Sequence, residues 1–348
     1  MKVIIISALL AFAFTACSKP NVHTETKNIN TSETYATAVF AGGCYWCMDA
    51  SFEKLSGLKD VISGYAEGII NSSKSTGKVE AVIIIYDPVI TSYEELVDYY
   101  WKQFDPTDAG GSFYDCGPQY KSYIFYQNNS QKSYAEKTKE NLDKLNIFKK
   151  PIVTGIVRFT KFTPVAEPEQ HFYKKNPARY YAYRKASGRD NYIKSVWGKI
   201  RTAEYKKPPE KVLKAELTLL QYNVTQNGAT ELPFVNKYIN NHLTGIYVDV
   251  VSGEPLFSST DRFNSGTGWP SFTKPIDGYF IVKKTDTSDG MLRVEVRGKE
   301  SGSHIGHVFN DGPAPTHLRY CVDSAALRFV PKDSLAKNGY GEYAYLFK

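Results

Sequence analysis

The sequence contains few cysteines for its size: five in 348 residues, at positions 17, 44, 47, 116 and 321. An exported protein that depends on a disulfide framework usually carries more, so we expect these thiols to serve chemistry rather than cross-linking. The chain also lacks runs of lysine and arginine interleaved with aromatic residues, and its net charge of +7 is dispersed. This pattern argues against nucleic acid as a partner and favours an ordinary solvated basic surface.

No apolar run is long enough to span a bilayer as a stable anchor. The run at residues 3–14 follows Lys2 and is typical of an export signal. It ends in FTACS (residues 14–18), which resembles a bacterial lipoprotein processing site, although Phe14 stands where leucine is usual. We expect residues 1–16 to be a signal peptide, Cys17 to be lipidated and residues 17–36 to form a flexible tether to the membrane. The alternative is a soluble secreted or periplasmic protein.

Two regions with different predicted secondary-structure patterns follow the tether. Residues 37–197 alternate strands with helices, which predicts an α/β domain of α+β, plait-like type. Residues 198–212 are rich in lysine and proline and are interpreted as a linker. Short strands separated by Gly, Pro, Asp and Ser then predict a mainly-β, barrel-like domain over residues 213–348. The predicted strands are 39–41, 79–86, 121–126, 152–159, 245–251, 279–284, 291–297 and 318–322, and the predicted helices are 48–55, 92–101 and 130–145. Ser92 and Glu95 are predicted to form a capping box at the start of the second helix.

The most informative motif is GGCYWC at residues 42–47. Cys44 follows two glycines at a predicted strand-to-helix junction, where the helix N-terminus favours a thiolate. Tyr45 and Trp46 supply an apolar wall beside the sulfur. Two other uses of Cys44 and Cys47 stay open here: a zinc half-site or redox pair, and an inert structural thiol. Zinc would need two further ligands, and no second C-x-x-C lies near.

A second cysteine has chemically suggestive neighbours in the other half. Alternation along a predicted strand places Arg319, Cys321 and Asp323 on one face, and a guanidinium beside a thiol favours the thiolate. His304 and His307 are separated by a glycine bend, and histidines of near-neutral pKa suit proton delivery. Structural histidines and an incomplete zinc set are the alternatives.

Each half contains several motifs in a recognisable order. They are residues 43–46, 79–82, 114–122 and 166–171 in the first half, and 245–259, 265–272, 304–309 and 319–327 in the second. Through these motifs the first half resembles the A-type methionine sulfoxide reductases, and the second resembles the B-type reductases. The resemblance implies that one chain reduces both epimers of methionine sulfoxide, the S epimer in the first half and the R epimer in the second, as a repair enzyme under oxidative stress.

The resemblance assigns a catalytic set to the first half. Cys44 is implied to be the nucleophile, Tyr120 to hydrogen-bond the sulfoxide oxygen, and Asp115 to be an active-site aspartate. Glu80 is the best proton donor, because a carboxyl in an apolar strand is kept protonated by desolvation. Tyr45 and Trp46 are implied to bind the methyl group.

This half departs from the family in its recycling cysteine. Residues 176–181 lack the usual one, so Cys47 and Cys116 are the candidate resolving thiols, with Cys47 slightly favoured. A second active-site tyrosine of the family falls in residues 69–76, which contain no tyrosine.

In the second half the resemblance makes Cys321 the nucleophile, activated and supplied with protons by His304, His307 and Arg319. Trp269 is implied to wall the methyl pocket. Asp323 stands where asparagine is usual, and its carboxylate is expected to oppose the thiolate.

Thr267 occupies the position where many B-type members carry a recycling cysteine. The sulfenic acid on Cys321 would then be reduced by an external thiol, such as a thioredoxin-like protein, or by a thiol of the first half. The positions of the family's zinc-binding cysteines hold non-cysteine residues, so no zinc is expected: Asp249, Ser252, Gly298 and Ser301.

Two other function classes compete with the reductase. One is a thiol–disulfide oxidoreductase or redox sensor that uses Cys44 and Cys47. The other is a non-catalytic surface lipoprotein that binds peptides. The first of these leaves Cys321, Trp269 and the paired histidines unexplained.

Overall fold

The computed structural model describes residues 35–72, 74–145, 147–201 and 205–347. The predicted signal peptide, Cys17 and nearly all of the predicted tether lie outside the described residues. Within them, no helix is both long and apolar enough to cross a membrane.

The first half is built around one closed sheet. The strands of this half are β1 (Ala36–Ala41), β2 (Leu58–Asn71), β3 (Lys74–Ser75), β4 (Val79–Tyr86), β5 (Gly111–Ser112), β6 (Asp115–Cys116), β7 (Tyr123–Tyr126) and β8 (Gly155–Pro164), of which β5 and β6 pair only with each other. Its helices are α1 (Tyr45–Phe52), α2 (Tyr93–Tyr100), α3 (Asn129–Leu145), α4 (Phe172–Lys175), α5 (Pro177–Ala186) and α6 (Arg189–Arg201). Neighbouring strands run in the order β2-β4-β1-β7-β8, and β8 pairs again with β2 to close the ring. The mixed α and β content agrees with the predicted fold class.

Local sequence explains the two helices that matter most. The predicted capping box of α2 is confirmed: the Ser92 hydroxyl accepts the Glu95 N–H at 3.2 Å, and the Glu95 carboxylate accepts the Ser92 N–H at 3.1 Å. Helix α1 begins at Tyr45, three residues before the predicted start, so Cys44 is its N-cap residue. Gly43 allows this turn because its φ is +84°, and a Cβ there would lie 2.3 Å from Ser112 Cβ.

The second half is mainly β, as predicted. Two helices, α7 (Glu210–Glu216) and α8 (Leu219–Asn227), precede its strands. The strands are β9 (Gly245–Asp249), β10 (Pro255–Ser258), β11 (Arg262–Phe263), β12 (Ser271–Phe272), β13 (Ile281–Asp286), β14 (Arg293–Gly298), β15 (His304–Phe309), β16 (Arg319–Val322) and β17 (Leu327–Pro331). One antiparallel sheet has the order β10-β9-β17 and the other the order β11-β12-β16-β15-β14-β13. The two sheets share one apolar core, in which Tyr247 and Phe257 pack against Phe272 and Tyr320.

The predicted linker, residues 198–212, overlaps the ends of two helices: α6 continues to Arg201, and α7 begins at Glu210. Trp197 of α6 and Leu213 of α7, on either side of the predicted linker, are both buried.

Charged residues of α2 connect the two halves. They recur at spacings of three and four residues, which places them on one face of the helix and its continuation. Each pairs with an oppositely charged residue of the second half, and we call this set the α2 interface: Glu95 with Lys283 at 3.0 Å, Asp98 with Lys274 at 2.5 Å, and Lys102 with Asp277 at 3.0 Å.

Candidate active sites

The first candidate site is centred on Cys44 at the start of α1. Cys44 and Cys47 are both buried, and their side chains hydrogen-bond to each other. This hydrogen bond, burial and the nearby Glu80 carboxylate raise the pKa of Cys44 well above its ordinary value. The expectation of a Cys44 thiolate is therefore wrong for the protein without substrate, because these effects outweigh that of the helix N-terminus.

Cys47 is the more acidic thiol of the pair. The hydrogen bond from Cys44 and the positive charges of Arg189 and Arg184 lower the pKa of Cys47 to about 6, despite its burial. Arg189 is held in place by the carbonyl of Gly42, 3.2 Å from its guanidinium. The pair therefore holds its negative charge on Cys47 and its proton on Cys44 at neutral pH.

Glu80 provides an acid next to this pair. It lies in β4, and burial raises the pKa of its carboxyl to about 7, even though the Tyr45 N–H donates to it at 3.1 Å. The negative charge of Asp115 raises the pKa further. A substantial fraction of Glu80 is thus protonated at neutral pH and able to give a proton.

Three phenols surround the Glu80 carboxyl and Cys44. Tyr120, just before β7, has a pKa raised by burial and then by the charges of Glu80 and Asp115, so it remains a hydrogen-bond donor. Tyr183 donates to Asp115 and hydrogen-bonds Cys44. The sequence analysis did not identify Tyr183, because nothing in α5 indicates which of its tyrosines points to the site.

The third phenol is Tyr65, which lies outside the segment 69–76 where a second tyrosine was expected. It pairs directly with Glu80 across β2 and β4, and its ring meets that of Tyr45 edge-on at 6.1 Å. Burial and the Glu80 charge raise the pKa of Tyr65. The signal that could have found it is strand pairing, because Tyr65 and Glu80 belong to neighbouring antiparallel strands.

An aromatic wall closes one side of the site. Trp46 stacks on Phe172 with ring centroids 3.9 Å apart, and its Nε1 donates to Glu169 at 3.0 Å. Tyr45 meets Trp46 edge-on at 6.2 Å. This arrangement fixes both rings beside Cys44, where an apolar methyl group could be received.

The two candidate resolving thiols have different surroundings. Cys47 is fully buried and in hydrogen-bond contact with Cys44. Cys116 is exposed on β6, next to Asp115. The direct contact favours Cys47 as the partner of Cys44 in a disulfide.

The second candidate site is centred on Cys321 in β16. Cys321 pairs with His307 across β15 and β16, and its Sγ lies 3.8 Å from the Thr267 hydroxyl. Burial raises the pKa of Cys321 and outweighs the lowering by Thr267 and Arg319. Arg319 therefore acts on the pKa of Cys321 in the expected direction, but burial has the larger effect. Arg319 forms a two-pronged ion pair with Asp311 at 2.8 and 2.9 Å, so part of its charge is already compensated.

Both histidines of this site are oriented by carboxylates. His304 Nδ1 lies 2.7 Å from Glu295, and its Nε2 is buried without a hydrogen-bond partner, 3.7 Å from Asp323. His307 Nε2 lies 2.7 Å from Asp286. Burial lowers the pKa of His304, so it is largely neutral at pH 7. Such an imidazole can accept or relay a proton.

Asp323 behaves as an acid rather than as a fixed negative charge. Burial raises the pKa of its carboxyl to about 7, although it accepts the Glu231 N–H at 2.9 Å. The expected opposition to the Cys321 thiolate is therefore weaker than predicted at neutral pH. Trp269 is half-buried two residues after Thr267, with its Nε1 donating to the Glu231 carbonyl at 3.0 Å.

The four positions of the family's zinc cysteines do come together, but they form a hydrogen-bonded cluster. Ser301 donates to Asp249 at 2.6 Å, and the Ser252 hydroxyl donates to Glu254 at 2.8 Å. A Cβ on Gly298 would lie 2.3 Å from the Ser301 hydroxyl. We call Asp249, Ser252, Glu254 and Ser301 the serine–carboxylate cluster. Its hydroxyls and carboxylates do not fit a structural zinc, which takes thiolate and imidazole ligands.

Another acidic group lies near the first site. Ligand atoms of Asp49, Glu53 and His171 lie within 4.8 Å of one another. The Lys174 ammonium is 2.5 Å from the Glu53 carboxylate, and His171 Nδ1 is 2.6 Å from the same group. Lys174 supplies a counter-charge to Glu53, so the group belongs to an ion-pair network.

Comparisons with known proteins address both halves. The family model described as peptide methionine sulfoxide reductase matches residues 36–201, and the SelR domain model matches residues 217–331. A relative from Vibrio cholerae serotype O1, named peptide methionine sulfoxide reductase MsrA/MsrB, is 46% identical over 98% of this chain and 97% of its own length.

Solved structures also match the chain. Reduced Mxr1 from Saccharomyces cerevisiae is 24% identical, with a TM-score of 0.37 over 41% of this chain and 87% of that chain. Methionine sulfoxide reductase A of Corynebacterium diphtheriae is 23% identical, with a TM-score of 0.35 over 41% and 76%. The family models and the curated relative account for both halves at once. They do not favour the thiol–disulfide oxidoreductase alternative, which leaves the second half unexplained.

Proposed function

The chain belongs to the peptide methionine sulfoxide reductases, with an A-type domain followed by a B-type domain, and we propose how its residues divide the work. It reduces the S epimer of methionine sulfoxide in the first half and the R epimer in the second. One observation carries the proposal: each half places a cysteine beside a buried acid whose pKa is raised to about 7, the buried Cys44 with Glu80 and the half-buried Cys321 with Asp323. Sulfoxide reduction needs this combination, because the departing oxygen must be protonated.

In the first half, Cys44 gives its proton to the Cys47 thiolate and attacks the sulfoxide sulfur. Glu80 protonates the sulfoxide oxygen while the phenols of Tyr65 and Tyr120 hold it. The sulfur–oxygen bond of the substrate breaks and the oxygen ends on Cys44 as a sulfenic acid. The substrate sulfur gains two electrons and leaves as the thioether. Asp115 acts through Tyr183, whose hydroxyl it orients toward Cys44.

Cys47 then resolves the intermediate. Its thiol attacks the sulfenic sulfur of Cys44, a disulfide forms, and the oxygen leaves as water. The hydrogen-bond contact between the two side chains supports this order of events. Cys116 is the rival resolving thiol.

In the second half, Cys321 attacks the R epimer with the methyl group against Trp269. His304 and His307 relay protons, Asp323 is an additional acid, and Arg319 stabilises the thiolate as it forms. Thr267 beside Cys321 offers no thiol, so the sulfenic acid on Cys321 is reduced by an external thiol. The same class of reductant, a thioredoxin-like dithiol, reduces the Cys44–Cys47 disulfide.

The location of the enzyme is proposed from the sequence. Residues 3–14 and Cys17 support export and lipid anchoring, with the catalytic halves facing the periplasm or the cell surface. Replacing Cys17→Ser would then move the protein from the membrane fraction to the soluble exported fraction. A wild-type protein found in the soluble fraction would contradict the anchor and favour the soluble alternative.

The decisive assay separates the epimers. Purified protein with dithiothreitol is given a peptide that carries either the pure S or the pure R sulfoxide. Cys44→Ser should abolish S-epimer turnover and leave R-epimer turnover, and Cys321→Ser should do the reverse. Loss of both activities from either variant would contradict the division of labour.

The recycling step is tested separately. Cys47→Ser should still reduce one equivalent of the S epimer, but its steady-state rate with a thioredoxin-like donor should fall. The matched control is Cys116→Ser, which should keep the wild-type steady-state rate. The opposite result for the two variants would transfer the resolving role to Cys116.

A further inference from the structure

Four consecutive apolar residues at positions 232–235 are exposed beside the second site. Leu232 is 71% exposed, Phe234 64% and Val235 78%, and Pro233 between them is also exposed. Scattered apolar side chains on a surface are ordinary, but a contiguous patch marks an interaction site. We call this segment the apolar loop.

The backbone conformation of the apolar loop keeps its side chains exposed to solvent. The Phe234 N–H donates to the Gly268 carbonyl at 2.8 Å, and the Asn236 side chain donates to the same carbonyl at 2.7 Å. Phe234 has a φ of +63°, which a bulky residue rarely adopts. Such a conformation persists only where the surroundings impose it, and it is characteristic of functional segments. The loop is thus built to present these side chains to solvent.

The apolar loop borders the mouth of the Cys321 site. Gly268, which accepts its hydrogen bonds, lies between Thr267, 3.8 Å from the Cys321 sulfur, and Trp269. A Cβ on Gly268 would lie 2.7 Å from Pro233 and 2.9 Å from Phe234, so the two segments are in close contact. On the other side, the Glu231 carboxylate accepts the backbone N–H of Ala325 at 3.0 Å. The patch is therefore continuous with the wall of the substrate pocket.

We propose that the apolar loop binds the polypeptide that flanks the R sulfoxide, favouring clients with apolar residues next to the oxidised methionine. Methionine is mostly buried in protein cores and apolar interfaces, and its oxidation disrupts them, so the segments that reach the enzyme are themselves apolar. A free amino acid has no flanking residues and therefore cannot contact the apolar loop in this way. The proposal rests on the proposed function of Cys321 and adds its substrate class.

The test compares a peptide with a small substrate. The variant Leu232→Ser/Val235→Ser removes two exposed apolar side chains without touching Phe234 or the catalytic groups. With dithiothreitol as the reductant, its KM for an apolar peptide that carries the R sulfoxide should rise about tenfold at unchanged kcat. Its kcat/KM for N-acetyl-methionine R-sulfoxide should stay within about twofold of wild type, because that substrate makes no flanking contacts.

The matched control is Met291→Ser/Leu292→Ser. These residues are 50% and 80% exposed and lie between β13 and β14, at the sheet edge opposite β11. The control should keep the wild-type KM for the peptide. An unchanged peptide KM in the loop variant, or equal losses on both substrates, would overturn the proposal. A raised KM for a thioredoxin-like donor together with an unchanged peptide KM would overturn it in favour of a reductant-docking surface. Failure of wild type on the small substrate would instead refute the function of Cys321.

Discussion

Lys283 of the second half and Glu95 of the first form a buried ion pair, with Nζ 3.0 Å from Oε2. The Glu95 carboxylate also accepts a hydrogen bond from the hydroxyl of Tyr320, and the Lys283 ammonium lies 5.1 Å from the centre of the Tyr320 ring. Tyr320 precedes Cys321 in β16, on the opposite face of the strand. A residue of the first half therefore supports the strand that carries the second nucleophile.

Breaking this pair should weaken the second half in particular. Glu95→Gln leaves the Lys283 charge buried without its counter-charge, which we expect to cost about 3 kcal/mol of unfolding free energy. R-epimer kcat should fall severalfold while S-epimer kcat changes less, because Tyr320 and Cys321 share a strand. Thermal unfolding and epimer-resolved kinetics measure the two effects. Glu95→Gln/Lys283→Met should recover most of the stability, and a double variant as unstable as the single one would contradict an ion-pair role.

The rate of S-epimer reduction should depend on pH in a bell shape. The rate should rise with pH near 6 as Cys47 ionises to accept the Cys44 proton, and fall near 7 as Glu80 loses the proton it must donate. Single-turnover rates from pH 5 to 9 measure both limbs. Glu80→Gln should slow the reaction about a hundredfold and remove the falling limb. A falling limb that survives in this variant would assign it to another acid.

The same carboxyl should reduce stability above neutral pH. The folded pKa of Glu80 is about 7, above its ordinary value of 4.5, so the folded state binds the proton more tightly than the unfolded state does. Protonation of Glu80 therefore contributes to the free energy of unfolding in full below about pH 4.5, and this contribution is lost as the pH rises through 7. Glu80→Gln should therefore raise the Tm relative to wild type at pH 8 more than at pH 5. A larger gain at pH 5 would contradict the raised pKa.

The serine–carboxylate cluster should hold the ends of β9 and β14 together. Ser301→Ala removes a 2.6 Å hydrogen bond to buried Asp249 and leaves an acceptor less satisfied, at an expected cost of about 1–2 kcal/mol. Ser252→Ala removes the corresponding bond to Glu254 and should cost a similar amount. Urea unfolding measures both. A lowered Tm after treatment of wild type with a chelator would show that a metal stabilises this region after all.

Local signals in the sequence predicted the parts of the fold that depend on neighbours along the chain. The capping box of Ser92 and Glu95 is confirmed because both partners lie within four residues. The strand over residues 79–86 matches the structure because its apolar run ends at Asp87 and Pro88. Glycines before Cys44 likewise indicated the turn into α1, although the helix starts earlier than expected.

The pKa values of the cysteines in both sites depend on burial and on residues distant in sequence, so the sequence did not predict them correctly. The hydrogen bond with Cys44 is the largest cause of the lowered pKa of Cys47, and the charges of Arg189 and Arg184, about 140 positions away, lower it further, so the thiolate was assigned to the wrong cysteine of the pair. At Cys321, burial raises the pKa by more than Arg319 lowers it. Desolvation is set by tertiary packing, which a motif does not report.

The sequence of α2 alone also suggests the wrong environment for its charged face, because a helix with Glu95, Asp98 and Lys102 on one side is typical of a surface helix in contact with solvent. Its charges instead meet Lys283, Lys274 and Asp277. Tyr65 and Tyr183 were missed for the related reason that their partners come from other strands and helices.

The charged residues of the α2 interface have a consequence for the synthesis of the chain. The first half is synthesised before the second, and during that interval the α2 residues of this interface have no partners. An apolar surface waiting there would invite aggregation, whereas carboxylates and an ammonium remain hydrated until the second half arrives. The charged residues of the α2 interface thus keep that face of the first half hydrated until the second half has been made.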